Sequence, residues 1–247
     1  MKLSIIIPAR NEEEVIERFV QDVLGELKNQ NINYEIVIID DNSTDATAEK
    51  LNLLVDRYSN IRIVKRQPPA GFGRAVREGL EHATGDAVAI VMGDGSDDPK
   101  DIAKYYRKIQ EGYDCVFGSR FIKGTVVKDY PFIKFALNRI GNYFIKILFG
   151  LPYNDITNAF KMYRKEVIES VKPLVSNYFN ITVEIPLKTI IRGFSYAVVP
   201  INWYGRTSGV SKHKLKELQR KYLFSILYVW LEKILLKEEI KNATQKR

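Results

Sequence analysis

The chain opens with short apolar runs that alternate with stretches of helical periodicity. Leu3–Pro8, Tyr34–Asp40, Ile61–Lys65 and Ala87–Met92 read as strands, followed in turn by helical patterns at Glu12–Lys28, Thr44–Tyr58, Gly73–Ala83 and Pro99–Glu111. Four such alternations predict a mostly parallel sheet flanked by helices, an α/β architecture. Runs without alternation, such as Ile36-Val-Ile-Ile39 and Val88-Ala-Ile-Val91, belong to strands covered on both faces. A fifth strand at Asp114–Gly118 ends the regular part. Beyond it Pro131–Leu151 reads as a basic amphipathic helix, followed by a short polar-to-helical segment, a helix at Thr182–Arg192 and a strand at Tyr196–Asn202. A long helix from about Lys214 to Lys237 closes the pattern. The expected organisation is a catalytic domain over residues 1–212 and, over 213–247, an amphipathic helix and tail that either packs on the domain or meets a membrane interface.

Ligands of open parallel sheets bind beyond the carboxyl ends of the strands. Three polar clusters fall there: Ala9-Arg-Asn-Glu12, Asp40-Asp-Asn-Ser-Thr-Asp45 and Gly93-Asp-Gly-Ser-Asp-Asp98. Adjacent carboxylates such as Asp40 and Asp41 repel and resist joint desolvation, which suits a ligand, a helix cap or a metal. As acceptors they would bind ribose hydroxyls or a base edge; as caps, Asp41, Ser43 or Asp45 would start the next helix. Carboxylates one to four residues apart, as in Asp94 to Asp98, suit Mg²⁺ or Mn²⁺ with substrate phosphates in the shell. Asp98-Pro99 also has the form of a helix start. Gly71-Phe-Gly-Arg-Ala75 lacks both the dinucleotide fingerprint and the P-loop ending, and points to close backbone packing. Arg120 follows the fifth strand and faces the same edge as the acids. Arg206, Ser211 and Lys212 lie on a glycine-punctuated loop suited to phosphate capture.

Composition narrows the partners. A formal net charge of +8 favours a phosphate-rich partner, which alone does not separate nucleic acid, an anionic membrane and a phosphorylated substrate. Acidic clusters at three strand ends would repel a nucleic-acid backbone, so a nucleic-acid module is the distant alternative. The single cysteine, Cys115, excludes an intramolecular disulfide and fits a reducing compartment. The amino terminus lacks the layout of a signal peptide, and the apolar run Tyr222–Leu231 is broken by Ser225 and followed by Glu232 and Lys233, short of the ~20 residues that span a bilayer. Basic residues at 212–221 before an apolar, aromatic stretch suit an anionic bilayer surface or packing on the domain.

The ordered series resembles the GT-A glycosyltransferases of family 2, most closely their dolichol-phosphate mannose synthase branch. It comprises Ile5-Ile-Ile-Pro-Ala-Arg-Asn-Glu-Glu13, Ile39–Asp45, Gly71–Ala75, the Asp94 motif, Gly118-Ser-Arg120, Asp155–Lys161, Glu184 and Arg206–Lys212. The resemblance implies a GT-A, Rossmann-like fold and inverting transfer of a sugar, mannose or glucose, from a nucleotide-sugar to dolichyl or polyprenyl phosphate. GDP-mannose is the favoured donor and a UDP-sugar the alternative. A transferase of the same fold acting on a soluble or polysaccharide acceptor is the runner-up. Pro8, Arg10, Glu12, Ile38, Asp40 and Asp41 would form the donor pocket, with Asp94, Gly95 and Ser96 at the diphosphate. Asp94, Ser96 and Asp98 would hold Mg²⁺ or Mn²⁺, and Arg120, Arg206 and Lys212 would gather phosphates. Arg10 stands where some relatives carry an aromatic residue. The family's Asp-x-Asp reads Asp94-Gly-Ser96 here, so the second ligand falls to Asp97 or Asp98. Some relatives append transmembrane helices; contact with the cytoplasmic membrane face would here come from amphipathic surface or a membrane-anchoring partner protein.

Overall fold

The structure, a computed structural model, describes residues 1–205 and 215–235, the latter with side chains from Arg220 onward. The first half alternates as the pattern predicts: β1 (Lys2–Ala9), α1 (Ile16–Asn29), β2 (Asn33–Asp40), α2 (Thr47–Arg57), β3 (Ile61–Lys65), α3 (Phe72–His82), β4 (Ala87–Ile90), α4 (Lys100–Gln110) and β5 (Cys115–Ser119). After it come β6 (Val127–Lys128), α5 (Phe132–Phe149), β7 (Lys161–Arg164), α6 (Lys165–Ser170), α7 (Ile181–Ile191), β8 (Tyr196–Pro200), β9 (Trp203–Tyr204) and α8 (Leu215–Leu235).

The main sheet has seven strands in the order β3-β2-β1-β4-β7-β5-β8, and β6 pairs with β9 in a small ribbon. All main-sheet pairings are parallel except those of β7, which runs antiparallel between β4 and β5. The mostly parallel α/β sheet expected from the pattern is therefore present. Side chains along β1 alternate between two layers, as the period of a strand requires. Ile5 and Ile7 enter the core beneath α1, α2 and α4, whereas Ile6 joins Val76 and Leu80 of α3 and Val183 and Leu187 of α7. Each of these isoleucines is fully buried, and burying such a side chain contributes roughly 1.5–3 kcal/mol. The chain turns from β1 outward to β2 and β3 and returns to β4 on the other side, so the switch point lies between β1 and β4.

At the opposite, amino-terminal edge Glu35 ties β1, β2 and the start of β4 together. Burial alone would raise its pKa, but hydrogen bonds from Ser4 Oγ (2.6 Å), the Thr84 amide (2.6 Å) and Lys2 Nζ (2.9 Å) bring it down to about 2. A lowered carboxyl stabilises the fold above its unfolded pKa and loses that contribution as pH falls toward the folded value. Glu35→Gln is therefore expected to be less stable than the parent at pH 6, with the difference shrinking as pH falls from about 4.5 to 2. Urea unfolding of both proteins across that range checks it.

Candidate active site

The polar clusters at the ends of β1, β2 and β4 meet at the switch point. Pro8 and Ala9 end β1 beside Ile39 and Asp40 of β2, and the Asp41 amide donates to the Ala9 carbonyl at 2.9 Å. The loops after β1 and β2 are cross-laced. Asn11 and Thr44 exchange hydrogen bonds, the Glu12 amide donates to Thr47 Oγ1 (2.8 Å), and the Ala46 amide donates to Glu13 Oε2 (2.8 Å). Arg10 is exposed at this rim, while Pro8 is buried in it.

The two adjacent aspartates divide the work. Asp41 accepts from Arg66 through Oδ1 and from the Gly71 amide through Oδ2 at 2.7 Å, so it builds the pocket wall. Asp40 accepts from the Ser43 amide through Oδ1 (3.0 Å), but its buried Oδ2 has no hydrogen-bond partner among the described residues. Buried polar atoms are rarely left unpaired, and one at a strand end suits a donor supplied by a ligand. Asp45 supports the start of α2 by accepting from the Thr47 amide. Ile38 is fully buried among Leu51, Leu54 and the α1 side chains, so its side chain packs in the core beneath this rim.

After β4 the chain makes a tight turn. Gly95 has φ +71°, which only glycine adopts without strain, and this folds Ser96 back so that its amide (3.1 Å) and Oγ (2.7 Å) both donate to Asp94 Oδ1. Asp97 is buried and accepts from the Met92 amide at 3.0 Å. Burial and the neighbouring Asp94 push its pKa up to about 7 against the opposing pull of that amide and of Arg120, so Asp94, Asp97 and Arg120 share one electrostatic neighbourhood. Asp98 does what its place before Pro99 suggests: Oδ1 accepts the Lys100 amide at the start of α4 (3.0 Å), and Oδ2 accepts from Asn202 (3.2 Å). Tyr204 donates its amide to the Ser96 carbonyl, which pins the turn to β9.

Arg120 follows β5 and is held from below by Asp155. Its amide and Nε donate to Asp155 Oδ2 (2.9 Å each) and its Nη2 to Oδ1 (2.7 Å), while Phe121 and Tyr130 lie over the guanidinium. Burial disfavours this cation, but Asp155 more than offsets that and raises its pKa. Asp155 sits on a loop fixed by Lys161, whose buried ammonium donates to the carbonyls of Ile156, Asn158 and Thr182. The role of Asp155 was not readable from the residues; the one signal was its place in the motif running to Lys161. Arg206 and Lys212 lie outside the described residues.

The glycines of the Gly71-Phe-Gly turn serve backbone packing, as expected. A Cβ at Gly73 would meet the carbonyl oxygens of Ser176 and Tyr178, the latter at 2.7 Å. That neighbouring loop is held by Glu184, which accepts the amides of Val175 and Ser176 at 2.8 Å each. Gly73→Ala is expected to cost about 1–3 kcal/mol of stability, because backbone must shift against the carbonyls of Ser176 and Tyr178. Thermal unfolding of the variant beside the parent checks it.

The donor chemistry here is all hard oxygen, which fits Mg²⁺ or Mn²⁺. Among the described residues no group of three acidic, histidine or cysteine side chains is placed to hold a metal ion. A cation at Asp94 would therefore take one or two protein carboxylates and complete its shell with phosphate and water, the habit of Mg²⁺.

The family described as Glycosyl transferase family 2 matches residues 4–172, a span that runs from β1 through the Asp94 turn and Asp155 to α6. The chain belongs to that family. Among the relatives of this family 2 chain, a dolichol-phosphate mannosyltransferase of Pyrococcus furiosus is 34% identical over 224 residues, 88% of this chain. This chain spans 61% of that relative's length. A polyprenol monophosphomannose synthase of Mycolicibacterium smegmatis is 28% identical, over 84% of this chain and 79% of the relative. In fold, the chain matches glucosyl-3-phosphoglycerate synthase of Mycobacterium tuberculosis, solved with Mn²⁺, UDP-glucose and phosphoglyceric acid. The TM-score is 0.72, at 16% identity over 93% of this chain and 79% of the other.

Proposed function

We propose that this family 2 chain is an inverting glycosyltransferase that moves mannose from a nucleotide-sugar, with GDP-mannose favoured over a UDP-sugar, onto dolichyl or polyprenyl phosphate. The observation that carries the reading is the meeting, at one sheet edge, of the unpaired Asp40 oxygen, the Asp94 turn and the buried Arg120. The names of the two relatives support the sugar and the lipid acceptor.

In this reading Asp40, with Arg10 and Glu12 at the rim and Asp41 as wall, receives the nucleoside. Asp94, with Ser96 oriented on it and either Asp97 or Asp98 beside it, would hold a divalent cation at the diphosphate. Such an ion, when bound, would neutralise charge on the leaving group. The engagement of both Asp98 oxygens favours Asp97 as the second carboxylate. Arg120, joined by Arg206 and Lys212, offsets repulsion between donor and acceptor phosphates. An oxygen of the lipid phosphate attacks the anomeric carbon as the bond from that carbon to the diphosphate oxygen breaks, so configuration inverts. The acceptor is ionised near neutral pH, and no tuned general base is required. Residues 1–212 carry this chemistry and residues 213–247 supply a helix and tail, with the protein peripherally associated with the cytoplasmic face of a membrane.

The test combines purified protein, Mg²⁺ or Mn²⁺, a polyprenyl phosphate and GDP-mannose, UDP-glucose or UDP-GlcNAc. Release of nucleoside diphosphate with a sugar-bearing, solvent-extractable lipid is expected. Absence of release with every pairing sinks the proposal, and transfer only to a soluble acceptor replaces the lipid with the runner-up.

A further inference from the structure

We infer that the cavity between α3 and the segment after α6 is a binding site for a small organic phosphate, an anion carried on an apolar body, apart from the active site. It stands on its own walls and does not depend on the sugar-transfer reading.

The cavity encloses about 720 Å³, within the roughly 300–1,000 Å³ of small-molecule sites. Its cations come from three segments: Arg66 just beyond β3, Arg74 and Arg77 on α3, and Lys172 after α6. Arg74, Arg77, Glu78 and Glu81 recur along α3 at the three- and four-residue spacing that sets side chains on one helix face. Asp40, Asp94 and Arg120 take no part in the walls.

The charge is not balanced from within. Arg66 donates to Asp41, Lys172 pairs with Glu81 at 2.9 Å and Glu169 at 3.0 Å, and Glu78 lies 3.4 Å from His82. Arg74 and Arg77 bond instead to neutral acceptors: the Ala70 carbonyl for Arg74, and the Leu174 carbonyl (2.8 Å) and Asn177 Oδ1 for Arg77. Two guanidiniums therefore line the cavity without a carboxylate partner among the described residues. The Nε atoms of Arg66 and Arg77 are, in addition, buried without a hydrogen-bond partner among those residues. Buried donors are rarely left unmade, and the planar fork of a guanidinium matches two oxygens of a phosphate. Glu78 and Glu81 are 43 and 65% exposed, so water and salt screen them from an anion held deeper.

The rest of the wall gives the apolar body. Leu80, Pro173 and Leu174 complete the lining, and Leu80 and Leu174 are continuous with the core around Ile6 and Val76. A nucleic acid would call for a basic stripe running along the surface. Here the cations converge on one cavity and are interrupted by two acids, which suits a small ligand.

Calorimetric titration of the full chain with inorganic phosphate and with phenyl phosphate, in metal-free buffer, tests the site. The parent is expected to bind phenyl phosphate more tightly than inorganic phosphate. Arg74→Gln/Lys172→Gln removes two lining cations yet leaves Arg77 holding Leu174 and Asn177, and is expected to weaken phenyl phosphate about tenfold or more. Arg120→Met/Asp155→Leu, which removes the active-site cation instead, is expected to bind like the parent. Thermal unfolding of each preparation verifies that the protein titrated is folded. No binding by the parent, or equal affinity of the parent and Arg74→Gln/Lys172→Gln, overturns the inference. So does loss of binding in Arg120→Met/Asp155→Leu, which would move the anion to the active site. Phenyl phosphate held no more tightly than inorganic phosphate overturns the ligand class.

Discussion

Asp94→Asn is expected to lower sugar transfer by about 10²–10³-fold while leaving the fold intact, the scale of loss when a group that stabilises developing charge is removed. The substitution is nearly isosteric. Its side-chain oxygen can still accept from the Ser96 amide and hydroxyl, which now hold Asp94 Oδ1 at 3.1 and 2.7 Å, so the turn at Gly95 keeps its form. What disappears is the negative charge that would hold a divalent cation at the diphosphate. With Asp97 already assigned as the second carboxylate beside it and both Asp98 oxygens engaged by the Lys100 amide and Asn202, no spare carboxylate is left to take its place. The informative measurements are turnover as a function of Mn²⁺ concentration and thermal unfolding of the same preparation. A variant that unfolds like the parent but needs far more metal, or never regains turnover, supports the assignment. Undiminished turnover at the parent's metal requirement would sink it.

The parallel half of the fold was legible because each strand is a short apolar run of one period and each helix a run of another, with β3 matching its predicted span of Ile61–Lys65 residue for residue. The main-sheet strand that escaped, β7, is four residues with a lysine at one end and an arginine at the other. It is buried because its charges are met by tertiary partners. Lys161 finds three carbonyls, and its pKa is lowered to about 7 chiefly by burial, a state that local sequence cannot reveal. The final helix, which the pattern left open between lipid and packing, has one side against the domain and the other exposed. Ser225, Ile226 and Val229 face inward, with Ser225 bonded to Ser176 and Asn180, whereas Leu223, Phe224, Leu227 and Leu231 remain outside. The site was legible as three acidic strand ends, but not in its internal assignments. Nothing local distinguishes Asp40, with a bond left to make, from Asp41, with both oxygens occupied. The partner of Arg120 lies 35 residues away and is joined to it only by the fold.

Asp155→Ala should be among the most destabilising substitutions in the protein, by about 3–5 kcal/mol in urea unfolding, because it leaves a buried cation without its counter-ion. Three hydrogen bonds converge on this carboxylate from Arg120, and the pair is almost entirely buried, at 7 and 0% side-chain exposure. Removal also strips Lys161 of the charge that opposes its desolvation, so a second buried ammonium loses support. The cost reflects the stranded cations rather than the worth of the pair, and that distinction is measurable. Arg120→Met/Asp155→Leu, which removes both charges and keeps the volume, is expected to recover a substantial part of the lost stability. It should recover none of the sugar transfer, since the guanidinium assigned to the phosphates is gone. If the single and double variants unfold alike, the pair is no electrostatic unit, and the placement of Arg120 must rest on Phe121 and Tyr130 instead.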